Sequence, residues 1–123
     1  ISVRRTLYLH QSWALSIGAE ISGYSISSGL GDITLDMGGD MIYMPFNGTV
    51  EPTDTGCVIV SSTDIPAYLF RLCGLTQIKL GARQQDQPMG RAQRLVFAML
   101  RREPDGTWAV VEPSPKFIER LVR

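Results

Sequence analysis

Histidine occurs once in this 123-residue chain, at His10, and cysteine twice, at Cys57 and Cys73. One imidazole and two thiols are too few for a zinc finger or for the histidine-rich kind of catalytic metal site. They also leave a Ser-His-Asp mechanism one place to stand, and the residues around His10 contain no G-x-S-x-G elbow to supply its nucleophile. His10 therefore reads as an ordinary residue of a strand-like stretch. Net charge is missing as well, with 12 basic side chains against 12 acidic ones. Without a cationic excess there is little counterion release to drive general binding of nucleic acid. The glycine loops that cradle phosphates, G-x-x-x-x-G-K-[ST] and G-x-G-x-x-G, are absent. No apolar run approaches the ~20 residues with which a helix spans a bilayer.

What is present is a 44% apolar chain long enough for one domain with a genuine core. Its periodicity is mostly two, broken by Gly, Pro, Asp and Ser, which is the pattern of short strands joined by turns. Strands are expected near Thr6 to Leu9, Ile21 to Ile26, Ile33 to Leu35, Met41 to Met44, Gly48 to Glu51 and Cys57 to Ser61. Others follow near Tyr68 to Leu72, Gln77 to Leu80, Arg94 to Leu100 and Trp108 to Val111. One amphipathic helix closes the chain: Ser114 is a good N-cap, Pro115 suits the first helical position, and Phe117, Ile118, Leu121 and Val122 share a face. Glu103-Pro104-Asp105-Gly106 has the composition of a type I turn.

The zero net charge hides an asymmetry. Residues 1–64 carry two basic side chains, Arg4 and Arg5, against seven acidic ones, whereas residues 65–123 carry ten basic against five acidic. A half at −5 and a half at +5 attract each other, either within one compact fold or by offering a basic face. Ten of the twelve cations are Arg, which favours bidentate contacts. Asp32, Asp36 and Asp40 recur every four residues, but Ile33, Leu35 and Met37 alternate between them, so a strand with one polar face accounts for them better than a calcium loop. Folding the chain about residue 64 or 65 brings Cys57 nearly opposite Cys73. In an oxidising compartment a bridge there is worth about 3 kcal/mol, and in a reducing one the pair are small buried hydrophobes. Asn47-Gly48-Thr49 fits a glycosylation sequon, although a tight turn suffices to explain it.

Two segments echo each other: Gly38-Gly39-Asp40-Met41-Ile42-Tyr43-Met44-Pro45-Phe46-Asn47-Gly48-Thr49-Val50, and Ile78-Lys79-Leu80-Gly81-Ala82-Arg83 running on to Pro88-Met89-Gly90. They resemble the G-x-x-V-x-A-P-x-x-G-x-V and V-x-x-G-x-x-V-x-x-G-x-x-I-G segments of barrel-sandwich-hybrid proteins. Gly29-Leu30-Gly31-Asp32-Ile33 resembles an H-x-G-x-D-I segment and Arg94-Leu95-Val96-Phe97 an H-x-H-F strand. In this order, over residues 18 to 113, the layout is similar to that of the lysostaphin/LytM zinc metallopeptidases.

That resemblance implies a mainly β fold, a barrel-sandwich-hybrid or LytM-like antiparallel sheet with a short C-terminal helix. It would form a single domain over 1–123: an N-terminal strand or extension at 1–17, a β core at 18–113 and the helix at 114–123. The family's zinc-binding and catalytic histidines would fall on Ser28, Arg71, Arg94 and Val96, and of its ligands only Asp32 remains. One carboxylate without imidazoles cannot hold zinc in the arrangement that activates water. The resemblance therefore implies a pseudoenzyme without a cofactor. Its former substrate groove, with Asp32, Arg71 and Arg94 together, would bind a protein partner of the cell envelope or membrane, with Asp32 pairing one of the arginines as the structural alternative. Degenerate relatives lie outside the cytoplasm, so a periplasmic location is expected. The start at Ile1 rather than Met points to an upstream segment that could carry a signal or membrane anchor. A barrel-sandwich-hybrid adaptor of the biotinyl/lipoyl or membrane-fusion kind is the alternative. Neither Lys79 nor Lys116 lies in the E-x-M-K-M turn that a carrier would need.

Overall fold

The structure, a computed structural model, describes residues 20, 21, 24–28 and 32–122. The expected strand Thr6 to Leu9 and His10 lie outside them. Ten strands form one antiparallel sheet: β1 (Glu20–Ile21), β2 (Tyr24–Ser28), β3 (Ile33–Asp36), β4 (Met41–Tyr43), β5 (Gly48–Pro52), β6 (Val58–Ser61), β7 (Tyr68–Thr76), β8 (Gly81–Arg83), β9 (Pro88–Arg102) and β10 (Trp108–Val111). The helix α1 (Pro115–Val122) follows. The chain is thus mainly β with a C-terminal helix, as its periodicity and helix-capping residues lead one to expect.

The fifteen-residue β9 is the spine of the sheet. Along one edge it pairs in succession with β4, β3 and β10, and along the other with β7. The sheet continues through β6 and β5 to β8 on the β7 side and through β2 to β1 beyond β3. Only the second half of β9, from Arg94, is expected from its alternation. It begins earlier because Pro88 occupies the first strand position, where a missing N–H is tolerated, and because β4 supplies a partner there. The chain from Ile21 to Ile26, expected as one strand, is divided between β1 and β2, which pair with each other.

Alternation decides burial. Ile33 and Leu35 of β3, Val58 and Val60 of β6, Phe70 and Leu72 of β7, and Leu95 and Phe97 of β9 are at most 1% exposed. Phe70 is the centre of an aromatic cluster, with ring centroids 5.2 Å from Phe46, 5.9 Å from Phe97 and 5.1 Å from Phe117. Phe117 comes from α1, whose Ile118, Leu121 and Val122 are fully buried in the same core. Ser114 accepts the first helical bonds through its carbonyl, from the Phe117 and Ile118 N–H groups, and Pro115 stands at the first helical position. The helix therefore docks on its own domain. On the opposite parity of β9, Leu100 packs with Val110, Leu69 and Trp108 in a second small cluster.

Turn chemistry is visible at both hairpins. The Gly106 N–H donates to the Glu103 carbonyl at 2.9 Å and Gly106 has φ 88°, so the type I turn runs on into a left-handed residue. Asp105 Oδ1 accepts both the Thr107 hydroxyl at 2.6 Å and the Thr107 N–H at 3.0 Å. These bonds, the hydroxyl first, hold the Asp105 carboxyl below its ordinary range. The β6–β7 hairpin turns about Ile65, as its register Val58↔Leu72 requires.

One expected strand is absent. Residues 77–80 are not in the sheet ladder: β7 runs on to Thr76, Gln77 takes φ 53°, and the next strand begins only at Gly81. The alternation of Ile78 and Leu80 is real, but no neighbouring strand completes a ladder with it.

Candidate interaction face

On the face of β9 opposite the main core, the exposed Arg94 and half-buried Val96 precede Ala98. The matching positions on β7 are Arg71 and Cys73, and on β3 they are Thr34 and Asp36. The registers line them up in rows: Asp36↔Arg94; Thr34↔Val96↔Cys73; and Ala98↔Arg71↔Ile59. In β2, Ser28 stands at the register of Thr34. Three neighbouring strands of this group thus carry Ser28, Arg71, Arg94 and Val96, and Asp32 immediately precedes the fourth, β3.

Two ion pairs occupy this face. The Arg71 Nη2 donates to Asp32 Oδ1 at 2.9 Å, with the two side chains 18% and 17% exposed. A charge-assisted bond this sheltered contributes about 1–3 kcal/mol, and removing one partner leaves the other's desolvation uncompensated. The Arg94 Nε donates to Asp36 Oδ1 at 3.2 Å, but these side chains are 74% and 50% exposed. An exposed pair is worth well under about 1 kcal/mol.

The expectation that Asp32, Arg71 and Arg94 form a single cluster therefore needs correction. Asp32 and Arg71 meet, whereas Arg94 pairs with Asp36. Arg94 lies four residues from Ala98, the β9 partner of Arg71, which is about 13 Å along a strand. Asp36 reads from the sequence only as part of a polar strand face, and its pairing with Arg94 is what that reading missed. Its signal was parity, since Asp32, Thr34 and Asp36 alternate with the buried Ile33, Leu35 and Met37. Both pairs join the acidic half of the chain to the basic half, so part of the charge asymmetry is spent inside the fold.

The face is braced by a disulfide between Cys57 and Cys73, whose Cα atoms are 4.3 Å apart. Cross-linking residues sixteen apart contributes about 3 kcal/mol by restricting the unfolded chain. Immediately after it, Gly74 has φ +89°, and a Cβ there would lie 2.1 Å from the Arg94 carbonyl oxygen. Only glycine allows this approach of β7 to β9, and the irregular register between Cys73 and Leu75 follows from it.

Among the described residues no group of three or more His, Cys, Asp or Glu side chains could hold a metal ion. The Asp32 carboxylate faces a guanidinium, and Val96 offers no donor atom. Chemically the face presents one sheltered and one exposed guanidinium–carboxylate pair beside a partly buried apolar row of Val96 and the disulfide. Depressions of about 420 and 550 Å³ lie beside Asn47 and Gly48, the first reaching Ser61 and Asp64 and the second Arg83 and Gln87. Neither includes Arg71 or Arg94. Asn47 itself serves the turn, its Oδ1 accepting the Gln85 N–H at 2.7 Å.

No protein-family model matches the chain, and a search of curated proteins finds no match.

Proposed function

We propose that this domain is a non-catalytic, LytM-like interaction module that binds a protein partner through the face made by β3, β9 and β7. The observation that carries the reading is the Asp32–Arg71 pair: under the resemblance, it joins a carboxylate at a zinc ligand's position to a guanidinium at a catalytic histidine's position. The same strands carry Arg94 and Val96 where the peptidases have their last histidines. A cation fixed by covalent attachment opposes a second cation beside it, and it leaves a surface suited to carboxylates and apolar groups rather than to metal-activated water. Arg94, bound only loosely to Asp36, is the side chain most free to exchange its partner for an incoming carboxylate. The disulfide supports an oxidising, extracytoplasmic location, because such bridges persist where thiols are not kept reduced.

Two measurements test this. Metal analysis of protein purified from zinc-replete medium should find no stoichiometric zinc; one zinc per chain overturns the pseudoenzyme reading. A photo-cross-linker at Thr34, on the face, should capture a discrete protein from the native membrane fraction, and the Arg71→Met/Arg94→Met variant should lose it. Unchanged capture by a folded double variant would reduce both arginines to structural roles.

A further inference from the structure

Of the two depressions beside Asn47, the larger is walled by side chains that offer hydrogen-bond donors and no carboxylate. Its walls are Asn47, Gly48, Ala82, Arg83, Gln84 and Gln87, and its volume is about 550 Å³. It lies where β5 pairs with β8, Gly48 opposite Arg83. The β8–β9 turn, residues 84–87, gives it shape, and every backbone N–H of that turn has an acceptor. Those of Asp86 and Gln87 donate to the Met44 and Gln84 carbonyls at 2.9 and 3.1 Å. Those of Gln84 and Gln85 donate to side chains, Gln87 Oε1 and Asn47 Oδ1, each at 2.7 Å.

The last two bonds orient the amides. A backbone N–H only donates, so Asn47 and Gln87 each give their oxygen to the turn and keep the NH2 group as a donor that the fold does not use. Arg83 supplies the charge. Its Nη2 donates to the Pro88 carbonyl at a long 3.4 Å, and its Nε is buried without a hydrogen-bond partner. Buried N–H groups are nearly always satisfied, so this one points to an acceptor that the chain itself does not provide. The long bond yields readily to a charged acceptor, and turning the guanidinium into the depression pairs Nε as well. Asp64 belongs to the neighbouring depression, and Asp86 of the same turn is not among the walls of this one.

We infer that this depression is a carboxylate-binding site, in which the Arg83 guanidinium takes the carboxylate and the Asn47 and Gln87 NH2 groups complete its hydrogen bonds. One guanidinium with neutral donors matches the single charge and flat shape of a carboxylate, whereas a phosphate dianion would keep an uncompensated charge. The same chemistry accepts a free small acid or an acidic side chain of a partner. The site is separate from the face around Arg71.

The test uses the intact protein and follows the Arg83 Nε–H and the Asn47 and Gln87 NH2 signals by nuclear magnetic resonance. The probes are acetate, the peptide acetyl-Gly-Glu-Gly-amide, its neutral analogue acetyl-Gly-Gln-Gly-amide, and inorganic phosphate. Acetate and the Glu peptide should shift all three sets of signals saturably, with Kd on the order of 10 mM, and the Gln peptide should leave them in place. Acetate binding as tightly as the Glu peptide assigns the site to a free acid, and a tighter Glu peptide assigns it to a partner's side chain; both uphold the inference. Asn47→Asp and Gln87→Glu keep the oxygen that the turn uses and put a carboxylate oxygen in place of the NH2 group. Each should weaken binding roughly tenfold while the backbone amide spectrum stays native. Arg83→Gln should abolish binding, and the Arg71→Met/Arg94→Met protein should bind as the parent does. Equal shifts with the Gln peptide, binding retained by Arg83→Gln, phosphate binding more tightly than acetate, or no saturation by about 100 mM probe overturns the inference.

Discussion

The two faces of the β7–β9 pair are built from alternate residues of the same strands, yet they obey different physics. On the inner face, Phe70, Leu72, Leu95 and Phe97 are fully buried, and any change of volume there is felt by the whole core. On the outer face, Arg71, Cys73, Arg94 and Val96 range from sheltered to largely exposed. There, the energy resides in a few specific partnerships. The inner face selects for apolar volume, and the outer face selects for particular pairs. A single strand can therefore carry stability on one parity and recognition on the other.

The contrast can be broken most forcefully from the inside. Phe70→Ala removes the ring that touches Phe46, Phe97 and Phe117, and should cost about 3–5 kcal/mol in urea unfolding. A cost under about 1 kcal/mol would mean that the core does not depend on this cluster.

Next come the two arginines, which should differ from each other. Arg71→Met removes a sheltered charge-assisted bond to Asp32 and should cost about 1–3 kcal/mol, whereas Arg94→Met should stay within about 0.5 kcal/mol. Their costs should add in the double variant, given about 13 Å between them. Equal costs would erase the distinction between a structural and an available arginine.

The smallest effect lies off both faces, in the β9–β10 turn. The Asp105 carboxyl titrates below its unfolded value because the folded state hydrogen-bonds its ionised form. Its contribution is therefore complete above the unfolded pKa and disappears as pH falls through the lowered folded pKa. Asp105→Ala should be slightly less stable than the parent at neutral pH and converge with it in acid. A gap that persists unchanged at the lowest pH would assign the effect to the turn backbone rather than to the charge.

Much of this was legible in the residues. The buried set in β3, β6, β7 and β9 follows from period two alone, and Ser114-Pro115 marked the start of the helix. The spacing of Cys57 and Cys73 about residue 65 implied their opposition, although the choice between bridge and free thiols depended on more than spacing. Three features were not legible. The early start of β9 depended on β4 arriving beside Pro88. The loss of a strand at Gln77 to Leu80 depended on the left-handed backbone at Gln77 and Gly81, which leaves one bond, Lys79 N–H to the Met89 carbonyl, in place of a ladder. The exchange of Arg94 from Asp32 to Asp36 depended on the register of β3.

By itself the sequence determined which residues face the core, where the chain turns and that its two halves attract, because these properties are set by neighbours within a few residues or by summed charge. Only the tertiary structure decided which arginine meets which carboxylate and which strands pair along β9. Those partners are 39 and 58 residues apart in the two ion pairs, and a shift of two residues in the β3–β9 ladder would separate Asp36 from Arg94 without altering the parity of any side chain.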